Sequence, residues 1–309
     1  MLVIETAALS KRYPRVTALD ELDMNVGEGV TGLVGANGAG KSTLIKILLG
    51  LVPSTSGAAH VLGFDVATEG ALIRSRVGYM PEHDCLPADA SASDLVVHLG
   101  QMSGLPYPAA RERASDVLRH VGLAEERYRP IGGYSTGMKQ RVKLAQALVH
   151  DPRLVLLDEP TNGLDPSSRD DMLSLVRRIG TEFGIAVLVT SHLLGELERI
   201  SDHVVVVEAG RLLRSSATTD FTHATGLLLV EVQGRADAGR LLGQALVDAG
   251  LRARPVGGMV EVEVRDEATY DVVRDLTAEL GLGLVRMQER HHRIEDVFRE
   301  GGAGSVQPV

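Results

Sequence analysis

The short apolar run Val30-Thr31-Gly32-Leu33-Val34 passes directly into Gly35-Ala36-Asn37-Gly38-Ala39-Gly40-Lys41-Ser42. Helical character follows from Lys41 to Leu49 and stops at Gly50. Strand, Gly-x-x-x-x-Gly-Lys-Ser and helix in that order leave few choices of fold. Glycines let consecutive backbone N–H groups turn inward around phosphate oxygens, and the helix N-terminus adds positive potential. In such a loop Lys41 reaches β- and γ-phosphates, and the Ser42 hydroxyl is a ligand for Mg²⁺. Gly35, Asn37, Gly38, Gly40, Lys41, Ser42 and Thr43 are therefore the expected nucleotide-binding residues. A chance glycine-rich turn is the alternative, and the flanking strand and helix count against it.

Composition sets bounds on everything else. A chain of 309 residues holds one large domain and a small one, and its 44% hydrophobic content supports an ordinary globular core. The net charge of -9 speaks against a nucleic-acid binder, which needs a basic patch. The single cysteine, Cys85, excludes an internal disulfide, fits a reducing compartment and reads as a buried or incidental thiol. Arginine far outnumbers lysine, which stands only at positions 11, 41, 46, 139 and 143; that suggests a GC-rich bacterial source and carries no mechanism. No apolar run approaches the roughly 18 residues a membrane-spanning helix requires, and Glu5 interrupts any signal-like start. A cytoplasmic protein is expected, with any membrane part supplied by another chain.

Along the chain, Met1–Ile4 and Ala18–Val26 read as short strands around a polar turn at Lys11–Arg15. Residues 86–150 switch to helical spacing, with helices expected over Ser93–Met102, Ala109–Val121 and Met138–Val149. Strand character returns at Arg153–Leu157, Ile185–Val189 and His203–Val207. This alternation predicts an α/β fold with a largely parallel sheet, helices outside it and the helical insert as a separate lobe. Residues 1–221 form that domain. Over 222–300 the order is strand Leu227–Val232, helix Ala238–Ala249, strands Leu251–Val256 and Met259–Val264 around Gly257-Gly258, helix Glu267–Leu280 and strand Leu284–Gln288. Such a β-α-β-β-α-β order predicts a ferredoxin-like accessory domain. A short amphipathic segment at Ile294–Arg299 and a flexible tail over 301–309 complete the chain.

Two further strand ends carry chemistry. Leu154-Val155-Leu156-Leu157 ends in Asp158-Glu159, which places one carboxylate to hold Mg²⁺ through water and a second to act as general base on the attacking water. An apolar strand ending in Asp-Glu means little alone and gains weight beside the phosphate loop. Val189-Thr190-Ser191 ends in His192, placed to hydrogen-bond a γ-phosphate and to position Glu159. Lys41, Glu159 and His192 are thus the expected catalytic set. His291-His292 reads as a solvated pair, since adjacent side chains share no face.

With these residues in view, the chain resembles the nucleotide-binding subunit of an ABC transporter over residues 1 to about 220, which implies a P-loop NTPase fold with a RecA-like, mostly parallel sheet, an antiparallel N-terminal β part and a helical subdomain. Tyr134-Ser135-Thr136-Gly137-Met138-Lys139-Gln140-Arg141 is similar to the family's signature segment. The resemblance implies that Ser135 and Gly137 contact the nucleotide of a facing subunit, and that Tyr13 stacks on adenine. It further implies that Gly163-Leu164-Asp165 forms the D-loop, with Asp165 at the nucleotide interface, and that His192 is the switch histidine. Glu82 stands where the family usually has glutamine, as glutamate does in several of its drug and antibiotic exporters, and the resemblance implies that Glu82 lies near Mg²⁺ and the γ-phosphate. Ile294-Glu295-Asp296-Val297-Phe298 resembles the ending of daunorubicin- and multidrug-resistance-type exporter ATPases.

The implied protein is an ATP-hydrolysing subunit of a bacterial exporter. Its cofactors are ATP and Mg²⁺, its partner an integral membrane permease on a separate chain. It would pair as a homodimer, or with a related ATPase subunit, peripheral at the inner face of the cell membrane. The rival is a soluble ABC-type ATPase of DNA repair or translation. Such proteins insert a long coiled coil or fuse two ATPase domains, and neither feature is in the sequence.

Overall fold

The computed structural model describes residues 2–218, 224–235 and 237–291. Its N-terminus is a long hairpin. β1 (Ile4–Tyr13) and β2 (Val16–Val26) are joined by Pro14-Arg15 alone, so the turn expected at Lys11–Arg15 shrinks to its last two residues. Lys11 and Arg12 belong to the strand because its edge satisfies them. Lys11 Nζ donates to the Pro53 carbonyl at 2.7 Å, and the Arg12 N–H donates to Thr55 Oγ1 at 3.0 Å. Charge marks exposure, and a half-buried strand has an exposed face as surely as a turn does.

The glycine-rich loop lies between β3 (Val30–Val34) and α1 (Lys41–Leu48). There follow β4 (Ser56–Val61), β5 (Phe64–Asp65), α2 (Gly70–Arg74) and β6 (Val77–Met80), and then the helices α3 (Ala92–Met102), α4 (Tyr107–His120) and α5 (Thr136–Leu148). The chain returns through β7 (Leu154–Leu157), α6 (Pro166–Thr181), β8 (Ala186–Ser191), α7 (Leu194–Ile200), β9 (His203–Glu208) and β10 (Arg211–Ala217). An antiparallel sheet has the order β2-β1-β4-β5; a larger one has the order β10-β9-β3-β8-β7-β6, parallel throughout except for β10 at its edge. Every residue of β3, β7 and β8 is buried, as strands covered on both faces must be. One hydrophobic cluster joins the two sheets through Leu9, Leu22, Leu33, Ile45, Leu156 and Leu188.

Because β6, β7, β8 and β3 run in the same direction, their C-terminal ends share one edge of the sheet. The residues that follow them are Glu82, Asp158-Glu159, His192 and the Gly35–Ser42 loop. Side chains distant in sequence meet there for that reason.

The chain divides at Thr218 into two compact units. The second unit contains β11 (Ala224–Gln233), α8 (Ala238–Asp248), β12 (Ala253–Val256), β13 (Met259–Glu263), α9 (Ala268–Glu279) and β14 (Gly283–His291). Its strands form an antiparallel sheet in the order β12-β13-β11-β14. Gly257 and Gly258 both have positive φ, 54° and 90°, as a two-residue hairpin turn between Val256 and Met259 requires. Leu228, Val230, Val260 and Val262 from the sheet pack with Leu242, Leu246 and Val273 from the helices. The segments expected at Ile294–Arg299 and 301–309 lie outside the described residues. Among the described residues no helix is long and apolar enough to cross a membrane.

Candidate active site

The loop between β3 and α1 is shaped by backbone approaching backbone. Gly40 has φ of 103°, and a Cβ there would lie 2.3 Å from the Ala18 carbonyl oxygen. A Cβ on Gly35 would lie 2.5 Å from the Val207 carbonyl oxygen. Gly40 caps α1 with no side-chain hydrogen bond, so the first N–H groups of the helix are left for an anion. A cavity of about 420 Å³ opens over them. It is lined by Tyr13 and Val16 from the first hairpin, by Ala36 to Thr43 of the loop, and by Glu82 and Glu159. Of the expected nucleotide-binding residues of the loop, Asn37, Gly38, Gly40, Lys41, Ser42 and Thr43 are gathered around this cavity, whereas Gly35 is not part of its lining. Tyr13 is 42% exposed, with Lys11 Nζ 5.0 Å from the centroid of its ring.

Lys41 is only 7% exposed, and its ammonium is turned onto its own loop. Nζ donates to the Gly35 carbonyl at 2.6 Å and the Ala36 carbonyl at 3.4 Å, and lies 3.3 Å from Glu159 Oε1. That last contact is an ion pair without hydrogen-bond alignment, since Glu159 Oε1 is buried and has no hydrogen-bond partner. The other carboxylate oxygen, Oε2, accepts from His192 Nδ1 at 2.8 Å. A line therefore runs from the phosphate loop through the carboxylate at the end of β7 to the imidazole at the end of β8.

Asp158 is nearly fully buried, and its Oδ1 accepts from the Thr190 hydroxyl at 2.9 Å. The same hydroxyl oxygen accepts the Glu159 N–H at 2.9 Å, so Thr190 sets both neighbouring carboxylates. Burial pushes the Asp158 carboxyl up, against the hydroxyls of Thr190 and Ser42, which favour its ionised form; the charges of Glu82 and Glu159 push it further up. The groups around it are all oxygens, the hydroxyls of Thr190 and Ser42 and the carboxylates of Glu82 and Glu159, which suits a hard ion such as Mg²⁺. Among the described residues no group of three or more His, Cys, Asp and Glu side chains gathers for a metal. Mg²⁺ fits nonetheless, because it takes one or two carboxylates and completes its shell with water and phosphate.

A family model described as "ABC transporter" matches residues 19–162. The daunorubicin/doxorubicin resistance ATP-binding protein DrrA of Streptomyces peucetius is 36% identical over 249 residues, which cover 79% of this chain and 75% of that protein. An uncharacterised ABC transporter ATP-binding protein of Bacillus subtilis is 32% identical over 96% of this chain and 98% of its own length. The chain belongs to the ABC transporter ATP-binding proteins. Among solved structures, CbiO1 of Clostridium perfringens, part of the ABC transporter complex CbiONQ, superposes with a TM-score of 0.65 at 27% identity, over 71% of this chain and 90% of that one.

In this ABC subunit the residues expected to serve a facing copy lie outside their own chain's cavity. Ser135 is the N-cap of α5, its hydroxyl accepting the Met138 N–H at 3.3 Å. Asp165 is the N-cap of α6 and accepts from the Ser168 N–H and from the Ser167 and Ser168 hydroxyls. Glu82 lines the cavity, and its Oε1 accepts from Asn162 Nδ2 at 3.2 Å. Cys85 is exposed, not buried.

Four residues that the sequence does not mark out support this set. Thr190 is one, and its only sequence signal is its place in the strand that ends at His192. Asn162 is the second, holding the Glu82 carboxylate. Glu196, on α7, accepts from the Thr161 and Ser191 hydroxyls at 2.8 and 3.1 Å and pairs with Arg169 at 3.1 Å, which fixes the strand end that carries His192. Lys143 is the last, buried against the loop that carries Glu82.

Proposed function

We propose that this chain is the ATP-binding and ATP-hydrolysing subunit of a bacterial exporter of the drug-resistance type. It works at the inner face of the membrane with a separate integral permease. The observation that carries this reading is the Lys41–Glu159–His192 line, which links a phosphate loop to a candidate base and its orienting imidazole.

The chemistry follows from those contacts. ATP phosphates draw Lys41 Nζ away from the Gly35 carbonyl and from Glu159, because a polyanion is a stronger partner than one carboxylate and two carbonyls. Glu159 Oε1 is then free to accept a proton from water. As the water oxygen bonds to the γ-phosphorus, the bond to the β–γ bridging oxygen breaks, and ADP leaves with that oxygen. His192 holds Oε2, so the base keeps its orientation while its other oxygen takes the proton. Ser42, Asp158 and Glu82 would hold Mg²⁺, which when bound neutralises charge on the phosphates. Tyr13 provides a ring for the adenine.

Ser135, Gly137 and Asp165 belong on this reading to the site of a second copy, so that two chains close head to tail around ATP and open after hydrolysis. The daunorubicin/doxorubicin resistance protein named above supports the export assignment. The β-α-β-β-α-β order and the strand order β12-β13-β11-β14 support a ferredoxin-like reading of the second unit as an accessory domain.

The test is Glu159→Gln in the full-length chain. Turnover of ATP with Mg²⁺ should fall by about 100-fold or more, with ATP affinity in an equilibrium titration within about threefold of wild type. Size-exclusion chromatography with ATP should show the variant as a stable dimer. A wild-type chain without ATPase activity, or a Gln variant that turns over normally, rejects the reading.

A further inference from the structure

Lys143 is 3% exposed on α5, and burying an ammonium is costly unless every donor is used. Its Nζ donates to three successive carbonyls, those of Pro81 at 2.8 Å, Glu82 at 2.9 Å and His83 at 3.4 Å. An ammonium has three donors, so its capacity is filled by one stretch of backbone. No carboxylate makes an ion pair with it among the described residues. One helical turn earlier, Lys139 Nζ pairs with Asp84 at 3.2 Å, extending the grip to the next residue of the same segment. From the same helix, Gln140 Nε2 donates to the Asn162 carbonyl at 3.2 Å, and Asn162 Nδ2 in turn donates to the Glu82 carboxylate at 3.2 Å. The backbone and side chain of Glu82 are thus both fixed from α5.

That helix begins at Ser135, its N-cap, and contains Gly137 in its first turn. One rigid element therefore carries the residues offered to a facing copy and anchors the loop that enters this chain's own cavity. We propose that Lys143 is a positioning residue for ATP hydrolysis, acting through Glu82: it ties the Pro81–His83 backbone to α5, so that the two sites of a closed pair cannot rearrange independently. The inference rests on the ATPase reading above.

The charge itself makes the anchor. Carbonyl oxygens gathered around a point are held best by a cation, and a neutral replacement leaves three partly buried acceptors facing one another. Arginine keeps the charge and the donors, although its flat guanidinium points them differently.

The experiment compares Lys143→Met, Lys143→Arg, Glu82→Ala and the double variant Lys143→Met/Glu82→Ala in the full-length chain. Lys143→Met keeps the stem of the side chain and should lower kcat about 10- to 100-fold, with the dissociation constant for ATP within about threefold of wild type. Lys143→Arg should recover a large part of that loss. The decisive measurement is the cycle with Glu82: if Lys143 acts through that residue, the double variant is no slower than the worse single variant. Effects on kcat that multiply independently overturn the proposal, as does a Lys143→Met enzyme with wild-type kcat. Should Lys143→Met unfold, amide hydrogen exchange of residues 82–86 in the milder neutral variant Lys143→Gln, which has no charge and one fewer donor, decides instead. Exchange faster than wild type, confined to that segment, is expected, and unchanged exchange there overturns the anchor. A wild-type chain that hydrolyses no ATP would instead reject the ATPase reading, which separates the two failures.

Discussion

Glu159 has φ of 50°, a backbone conformation that costs a non-glycine residue about 1–2 kcal/mol. The surroundings hold it there: its N–H is taken by Thr190 Oγ1 and its carbonyl by the Asn162 N–H at 3.1 Å. This bend separates two adjacent carboxylates into different roles, Asp158 toward Thr190 and Ser42, Glu159 toward Lys41 and His192. Asp158 is costly in another way, since burial disfavours its charge. Its folded-state pKa is raised above the unfolded value, so the ionised residue opposes folding near neutrality. That penalty is relieved as pH falls through the raised folded value. Asp158→Asn should therefore melt about 2–4 °C above wild type at pH 7, for a relief of about 1 kcal/mol. Its Mg²⁺-dependent ATPase activity should be lost. The melting gap, read by differential scanning calorimetry without nucleotide, should narrow as the pH is lowered from 7 to about 4. A variant less stable than wild type at pH 7 contradicts this account. Asp158, Glu159 and His192 are legible in the sequence because each follows a short apolar strand. Thr190 and Asn162 are not, because their partners meet them only through the neighbouring order of β7 and β8 and the return of the chain after β7.

Elements differ in how much of themselves the sequence displays. The parallel strands read as unbroken apolar runs, and α3, α4 and α5 show apolar positions every three or four residues. β4 has no such run: Ser56-Gly57-Ala58 is small and exposed, and the strand exists because β1 offers it a pairing edge. β10 is similarly polar and sits on the edge of the larger sheet. α6 is a different case, because its signals are present: Asp165-Pro166 is a cap followed by proline at the first helical position, and Met172, Leu173, Val176 and Ile179 make one buried stripe. Read as part of a motif, Asp165 conceals a helix start. The Asp165 carboxyl is held well below its usual range, chiefly by the Ser168 N–H and then by the Ser168 and Ser167 hydroxyls. A depressed carboxyl contributes stability that is present above its unfolded pKa and lost as pH falls through the folded value. Asp165→Asn keeps an acceptor for the Ser168 N–H, whereas Asp165→Ala removes the cap of α6. The alanine variant should melt about 2–4 °C below wild type at pH 7, and the asparagine variant should stay close to wild type. Equal losses in the two variants in a thermal melt would show that the cap is not what Asp165 contributes.

At the scale of the whole molecule, Gly137 points beyond its own chain. Its φ is not in the left-handed region, and a Cβ there would meet nothing nearer than the Ser168 hydroxyl at 3.4 Å. The fold of this chain therefore does not demand glycine at 137, unlike at Gly35 and Gly40, where a Cβ would strike backbone. A glycine on an open helix start leaves backbone N–H groups free for close approach from outside. If that approach is by a facing copy, the active site is divided between chains, and damage to its halves should complement. Gly137→Asp should fold as wild type and bind ATP at its own loop, yet repel the phosphates held by a partner. Lys41→Ala should keep an intact Ser135–Gly137 segment and fail at its own loop. Each variant alone should be nearly inactive. In an equimolar mixture half of the pairs are mixed, and each mixed pair has one intact site of two, so activity should recover to about a quarter of wild type. The mixture is to be assayed as phosphate release with Mg²⁺ and ATP, at a concentration where wild-type activity no longer rises with protein per chain. Recovery requires that Lys41 and Gly137 serve the same ATP from different chains. A mixture no more active than the mean of its two components would return Gly137 to its own chain and leave Lys41 and Glu159 to act alone.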